Sequence, residues 1–201
     1  MKLSSRFLAR TAILGALVVI FDYTLKFSQF KIPFPLLPFP WLPFLKLQFD
    51  FTGIPIVLAL LLVGPESATA TSTIAFLAIL VRSGNVISAF MKALAEFSTI
   101  LGMFAGLAWL KKSARFAKPV SFLLGCVTRV LIMTVANTAL VVLVYASVPF
   151  DFELLVYGLV VVGIFNAIHG LVSMFGGYLV YEALIRRIPS MAPAKNEKSQ
   201  T

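Results

Sequence analysis

Charge is scarce in this chain. Only 12% of its 201 residues are Asp, Glu, Lys or Arg, about half of what a soluble domain carries. Hydrophobic residues make up 60%, more apolar surface than a fold of this size can hide from water. Cysteine is scarcer still. The one thiol, Cys126, excludes an internal disulfide and a cysteine-built metal site. The one histidine, His169, has no cysteine to share a zinc ion with. No Walker motif, GxGxxG or HExxH occurs, so nucleotide, dinucleotide and zinc-protease chemistry lack their signatures. Ser173 follows His169 by one helical turn, but no acid orients the imidazole and no oxyanion loop is evident. Lys92, Glu96 and Asp22 do not form the carboxylate pattern of a proton pump. The chain is expected not to be an enzyme, and no cofactor or metal is expected.

What is abundant is apolar sequence. The mean hydropathy is +0.97, and a crossing helix needs about 20 mostly apolar residues. Six segments qualify: Phe7–Leu25, Phe51–Val63, Ser67–Val81, Val86–Leu110, Val120–Tyr145 and Leu154–Ile185. The fold class expected is an all-α integral membrane protein with six transmembrane helices. Helices two and three are short, with Gly64-Pro65 a natural break between them. One membrane domain over residues 1–188 precedes a disordered cytoplasmic tail, 189–201, which is polar from Ala192 onward. The basic, apolar N-terminus lacks a small-residue cleavage site and reads as a retained first helix.

The net charge of +9 reads as topology, not as a nucleic-acid footprint. Lys2, Arg6, Arg10, Lys111, Lys112, Arg115, Lys118, Arg186, Arg187, Lys195 and Lys198 share one side of a six-span chain. Lys26, Lys31, Lys46 and Arg82 share the other. That asymmetry places both termini in the cytoplasm.

Several features stand out within the spans. Ala12 and Ala16 lie four apart on one face of helix one, where small residues allow close approach; spacing alone favours packing within the chain. The first loop reads IPFPLLPFPWLPF from Ile32 to Phe44, and no α-helix survives that density of proline. It is either an interfacial anchor or a stiff lid over a pocket. Lys92 and Glu96 share a face of helix four and can pair, and Gly102 and Gly106 have packing spacing. Arg129, about 13 Å from the expected start of helix five, can snorkel to the cytoplasmic side. Asn137 cannot snorkel, so it faces a helix partner or a ligand. In helix six, Gly163, Asn166, Gly170, Ser173 and Gly177 form one stripe, with His169 beside Asn166. Interhelical bonding and ligand contact stand level there.

Together these residues resemble a known family, the substrate-binding S component of energy-coupling factor (ECF) vitamin transporters, closest to the riboflavin type. The likeness runs from Arg6 to Ile188. Leu47–Pro55, LQFDFTGIP, is similar to the family's LKLDFSDIP entry to helix two, with Gln48 and Gly53 departing from it. Lys92–Phe97, KALAEF, places Glu96 where the family has a glutamate. Asn137 matches the helix-five asparagine, and Ile164–Gly170, IFNAIHG, resembles PFNLIKG, with His169 in place of lysine. The polar residues common in helix three of the riboflavin type are missing. The resemblance implies capture of riboflavin, a related flavin or another ring compound by Asp50, Glu96, Asn137, Asn166 and His169. It implies docking of Ala12 and Ala16 on a transmembrane coupling subunit, with two ATPase subunits driving uptake across the plasma membrane. The alternative class is a ligand-free membrane scaffold of the MreD type, whose pocket would be plugged by side chains.

Overall fold

The computed structural model describes residues 4–27, 49–109, 114–145 and 152–191. It contains six α-helices: α1 (Ser5–Phe27), α2 (Gly53–Leu62), α3 (Pro65–Ser83), α4 (Val86–Trp109), α5 (Ala114–Tyr145) and α6 (Phe152–Arg187). No strand occurs among the described residues, so the all-α membrane fold expected from the apolar runs is the fold observed. Four helices, α1, α4, α5 and α6, are long and apolar enough to cross a bilayer. They turn large apolar side chains outward, among them Ile13, Leu123, Leu131, Val135 and Leu179. In water that surface would be a liability; against lipid it is matched to its solvent.

The short helix α2 has a different place. Ten residues rise about 15 Å, half the hydrocarbon thickness. It is apolar all round and buried, with Ile56, Val57, Leu58, Ala59, Leu60 and Leu62 in the core. Leu14 and Val18 of α1, Ala68 and Ala75 of α3, Ile100 and Met103 of α4 and Met174 of α6 pack around it. Gly64 separates α2 from α3 with φ 129°, and Pro65 starts α3, as the Gly-Pro pair suggests. α3 is longer than the run Ser67–Val81. Proline is well placed in a first turn, and Gly84, with φ 65°, closes the far end by donating to Leu80 O at 2.8 Å. α5 likewise begins before Val120 and carries Pro119 inside it. That proline lies in the second turn, where little of the hydrogen-bond ladder precedes it.

Small residues set the helix contacts. A Cβ on Gly102 would lie 2.3 Å from the backbone oxygen of Leu124, and one on Gly106 would lie 2.5 Å from Ser121 Cα. The α4 glycine pair is therefore the close-approach surface for α5. From Asn166 to Gly177 the α6 stripe is buried as well: Gly177 backs onto Val57 of α2, and Gly170 onto Arg129 of α5. Ala12 and Ala16 do not follow this pattern. Both are exposed, so the reading that they pack within the chain is corrected: α1 contacts its neighbours through Thr11, Leu14, Gly15 and Val18 instead.

Polar ties close the ends of the bundle. Asp22 of α1 pairs with Arg82 of α3 through two hydrogen bonds. Lys118 of α5 reaches Tyr178 and Glu182 of α6. Residues Pro189–Met191, at the start of the expected tail, form a single 3-10 turn. Met191 packs on the core and Arg10 donates to Ser190 O at 3.5 Å. The proline-rich stretch 32–44 and residues 192–201 lie outside the described residues.

Candidate functional site

Four parts of the chain send polar side chains to one place in the bundle. On α4, Lys92, Glu96 and Thr99 are spaced by four and three residues, so they share a face. Arg129 comes from the middle of α5. Asn166, His169 and Ser173 come from the α6 stripe. The fourth contributor is the non-helical segment 49–52 that turns into α2.

Arg129 is the hub. Its Nη1 donates to Glu96 Oε1 at 3.1 Å, Thr99 Oγ1 at 3.0 Å and Ala95 O at 3.3 Å. Its Nε donates to Asn166 Oδ1 at 3.3 Å, and its Nη2 meets His169 Nδ1 at 3.2 Å. Its side chain is 1% exposed, which corrects the expectation that it snorkels. α5 starts at Ala114, so Arg129 sits about 22 Å along it, too far for its side chain to reach the interface. A charge that cannot leave must be paired and hydrogen-bonded where it is.

This hub fixes its neighbours. A guanidinium only donates, so His169 Nδ1 accepts. The remaining Nε2–H then donates to the backbone oxygen of Asp50 at 3.1 Å. Asn166 is committed at both ends, accepting from Arg129 and donating from Nδ2 to Val162 O at 2.9 Å. Asn166 and His169 thus each carry an interhelical contact to Arg129 in this structure. Asn137 is two helical turns beyond Arg129 on α5, half-buried, and donates to Met133 O of its own helix at 2.6 Å. The geometry gathers Asp50, Glu96, Asn166 and His169 into one cluster, and Asn137 stands outside its hydrogen bonds.

The cluster's outer edge is the Lys92–Asp50 pair, 2.7 Å apart, with Lys92 also 3.3 Å from Glu96 Oε1. Thr52 bonds the same Asp50 oxygen through its backbone N–H (3.1 Å) and its hydroxyl (2.6 Å). Burial pushes the Asp50 carboxyl up, but the charge of Lys92 and the bonds from Lys92 and Thr52 outweigh it and hold the group below the usual carboxylate range. Beside this edge three rings converge. Phe49 lies 4.9 Å from Phe165 and 5.7 Å from His169, and Phe165 lies 5.4 Å from His169, all centroid to centroid.

At the inner end, Glu96 Oε2 and Ser173 Oγ are buried with no hydrogen-bond partner among the described residues. Both face Gly53, where a Cβ would meet Ser173 Oγ at 2.2 Å and Glu96 Oε2 at 2.4 Å. Glycine at this position is what lets the start of α2 close on the cluster. The sequence pattern alone missed Arg129 and Ser173 as members and saw Lys92 only as a partner for Glu96. The available signal was an intramembrane arginine, which by default marks a paired interior site.

A profile of the family described as "ECF transporter, substrate-specific component" matches residues 6–181, nearly the whole chain. The chain belongs to this family of ECF transporter S components. A solved structure described as the S component of a bacterial ECF transporter superposes with a TM-score of 0.72 over 91% of this chain and 97% of that one. Its sequence identity is 20%, so that likeness speaks for the fold. A search of curated protein sequences finds no match. As an S component the chain is a membrane-embedded transport subunit that supplies substrate specificity, and its family works with ECF transmembrane and ATPase subunits. The buried cluster is thus in an S component whose helix-six histidine is bonded, through Nε2, to the segment entering α2.

Proposed function

We propose that this S component captures riboflavin or a related flavin and delivers it to ECF partner subunits for ATP-driven uptake. The observation that carries the reading is the convergence of Phe49, Phe165 and His169 on the half-buried Lys92–Asp50 pair. A fused heteroaromatic ring has apolar faces suited to aromatic neighbours and a polar edge suited to charged ones. In this reading Asp50 and the His169 ring stand at the ligand, Glu96 and Asn166 orient them from behind, and Asn137 adds an amide further along α5. Substitution of lysine by His169 exchanges a charged donor for a ring, which favours a planar ligand.

The exposed Ala12/Ala16 face supports the partner half of the proposal, because two small side chains on a lipid-facing helix allow another helix to approach closely. The membrane domain would span residues 1–188, with both termini in the cytoplasm, as the lysine and arginine asymmetry favours. The test is to purify the protein in mild detergent and record its visible spectrum, then titrate riboflavin into colourless preparations. Stoichiometric flavin supports the assignment. Absence of binding by riboflavin and by other vitamins would refute it and favour a ligand-free scaffold, for which the saturated bonding of Arg129 would serve as the plug.

A further inference from the structure

The cluster is not uniformly reachable, and its reachable part has a definite chemistry. Glu96 and Arg129 are each 1% exposed and His169 2%. Lys92 and Asp50 are 17% and 20% exposed. Any ligand entering here meets Lys92 and Asp50 first, not the asparagine and glutamate behind them. The two groups also retain bonding capacity. The Lys92 ammonium has three protons, two of them directed at Asp50 Oδ1 and Glu96 Oε1. Its third cannot bond His169 Nε2, which stands 3.5 Å away and is itself the donor to Asp50 O. On Asp50, Lys92 and Thr52 all converge on Oδ1, leaving Oδ2 to accept.

Charge is balanced across the described cluster. Two cations, Lys92 and Arg129, face two anions, Asp50 and Glu96, at 2.7–3.3 Å. An anionic ligand head would find no uncompensated cation. An anion that took the third Lys92 proton would sit beside the Asp50 and Glu96 carboxylates, 2.7 and 3.3 Å from the same ammonium, and their repulsion opposes it.

We infer that Lys92 and Asp50 are the specificity-determining pair and that they read an uncharged ring edge carrying a carbonyl beside an N–H, a lactam or imide. Lys92 donates to the carbonyl and Asp50 Oδ2 accepts from the N–H. Anionic heads are rejected. This deepens the substrate-capture reading and rests on it, but it concerns the edge that is read, so it can fail while flavin capture survives.

The test is calorimetric titration of the full-length protein in detergent with four probes. They are lumiflavin, 3-methyllumiflavin (the imide N–H blocked by a methyl), and two carboxylate-headed rings without a lactam or imide edge, nicotinate and 2-naphthoate. The expected result is binding of lumiflavin, at least a tenfold weaker affinity for the methylated ring, and no binding of either carboxylate. Equal affinity for lumiflavin and its methylated form overturns the recognition pair while leaving flavin capture intact. Binding of a carboxylate in place of the flavins overturns both. Failure of all four probes sinks the inference together with the flavin assignment. Lys92→Gln, which keeps a donor and removes the charge, should weaken lumiflavin at least tenfold and narrow the gap to the methylated ring. The comparison of ligands on the unaltered protein stands even if that variant misfolds.

Discussion

Replacing Arg129 by methionine removes the hub of the polar cluster and leaves its partners buried. Asn166 Oδ1 and His169 Nδ1 lose their donors. Glu96 Oε1 keeps only Lys92, at 3.3 Å. Removing one member of a buried ion pair costs about 3–5 kcal/mol, because the surviving charge is stranded. The remaining Lys92 contact puts Arg129→Met near the lower end, about 3 kcal/mol. Glu96→Met leaves the guanidinium with neutral acceptors at Ala95, Thr99, Asn166 and His169, again about 3 kcal/mol. The double variant strands neither charge, so it should cost about 4 kcal/mol instead of the sum, a coupling of about 2 kcal/mol. Reversible unfolding in mixed micelles at rising SDS fraction, followed by helical circular dichroism, measures all three. Additivity within about 0.5 kcal/mol would refute the claim that the two charges hold each other.

Other expectations follow from single contacts. Gly102→Ala drives a methyl into the backbone oxygen of Leu124, and the same unfolding assay should show a loss of about 1–3 kcal/mol; a neutral result would mean that α4 and α5 can separate freely. Gly53→Ala should perturb both Glu96 and Ser173, reducing ligand affinity at least tenfold in the calorimeter. Ala12→Trp should abolish uptake into cells expressing the partner subunits while leaving ligand binding by the purified protein unchanged; uptake equal to wild type would remove the α1 face from docking. Asp50 has a folded pKa held below its ordinary value of 3.8, so its ion pair contributes stability that is complete above about pH 4 and declines as the pH falls further. Unfolding measured from pH 7 to pH 5 should therefore show no Asp50-dependent change, tested against Asp50→Asn.

How much of this was legible in the residues differs from element to element. Long apolar runs and the Gly64-Pro65 break announce themselves, because helix length and backbone restriction are local properties. Gly102 and Gly106 were readable as a contact surface for the same reason, although not their partner. The extent of α5 was harder to read. Pro119 marks a boundary locally, yet the helix runs through it to Ala114. That shift moved Arg129 from within reach of the interface to the interior.

The amino-acid sequence alone determined that this chain lives in lipid, that it is helical, and that Glu96, Asn166 and His169 are polar groups needing partners there. Those conclusions follow from composition and periodicity, which do not depend on what touches what. Only the tertiary structure decided who the partners are. It turned Ala12 and Ala16 outward, made Arg129 the common partner of residues 30 to 40 positions distant, and left Lys92 and Asp50 as the cluster's reachable edge. The physical reason is that a buried charge is satisfied in three dimensions: the acceptors that hold Arg129 lie on two other helices, and no spacing within one helix encodes them.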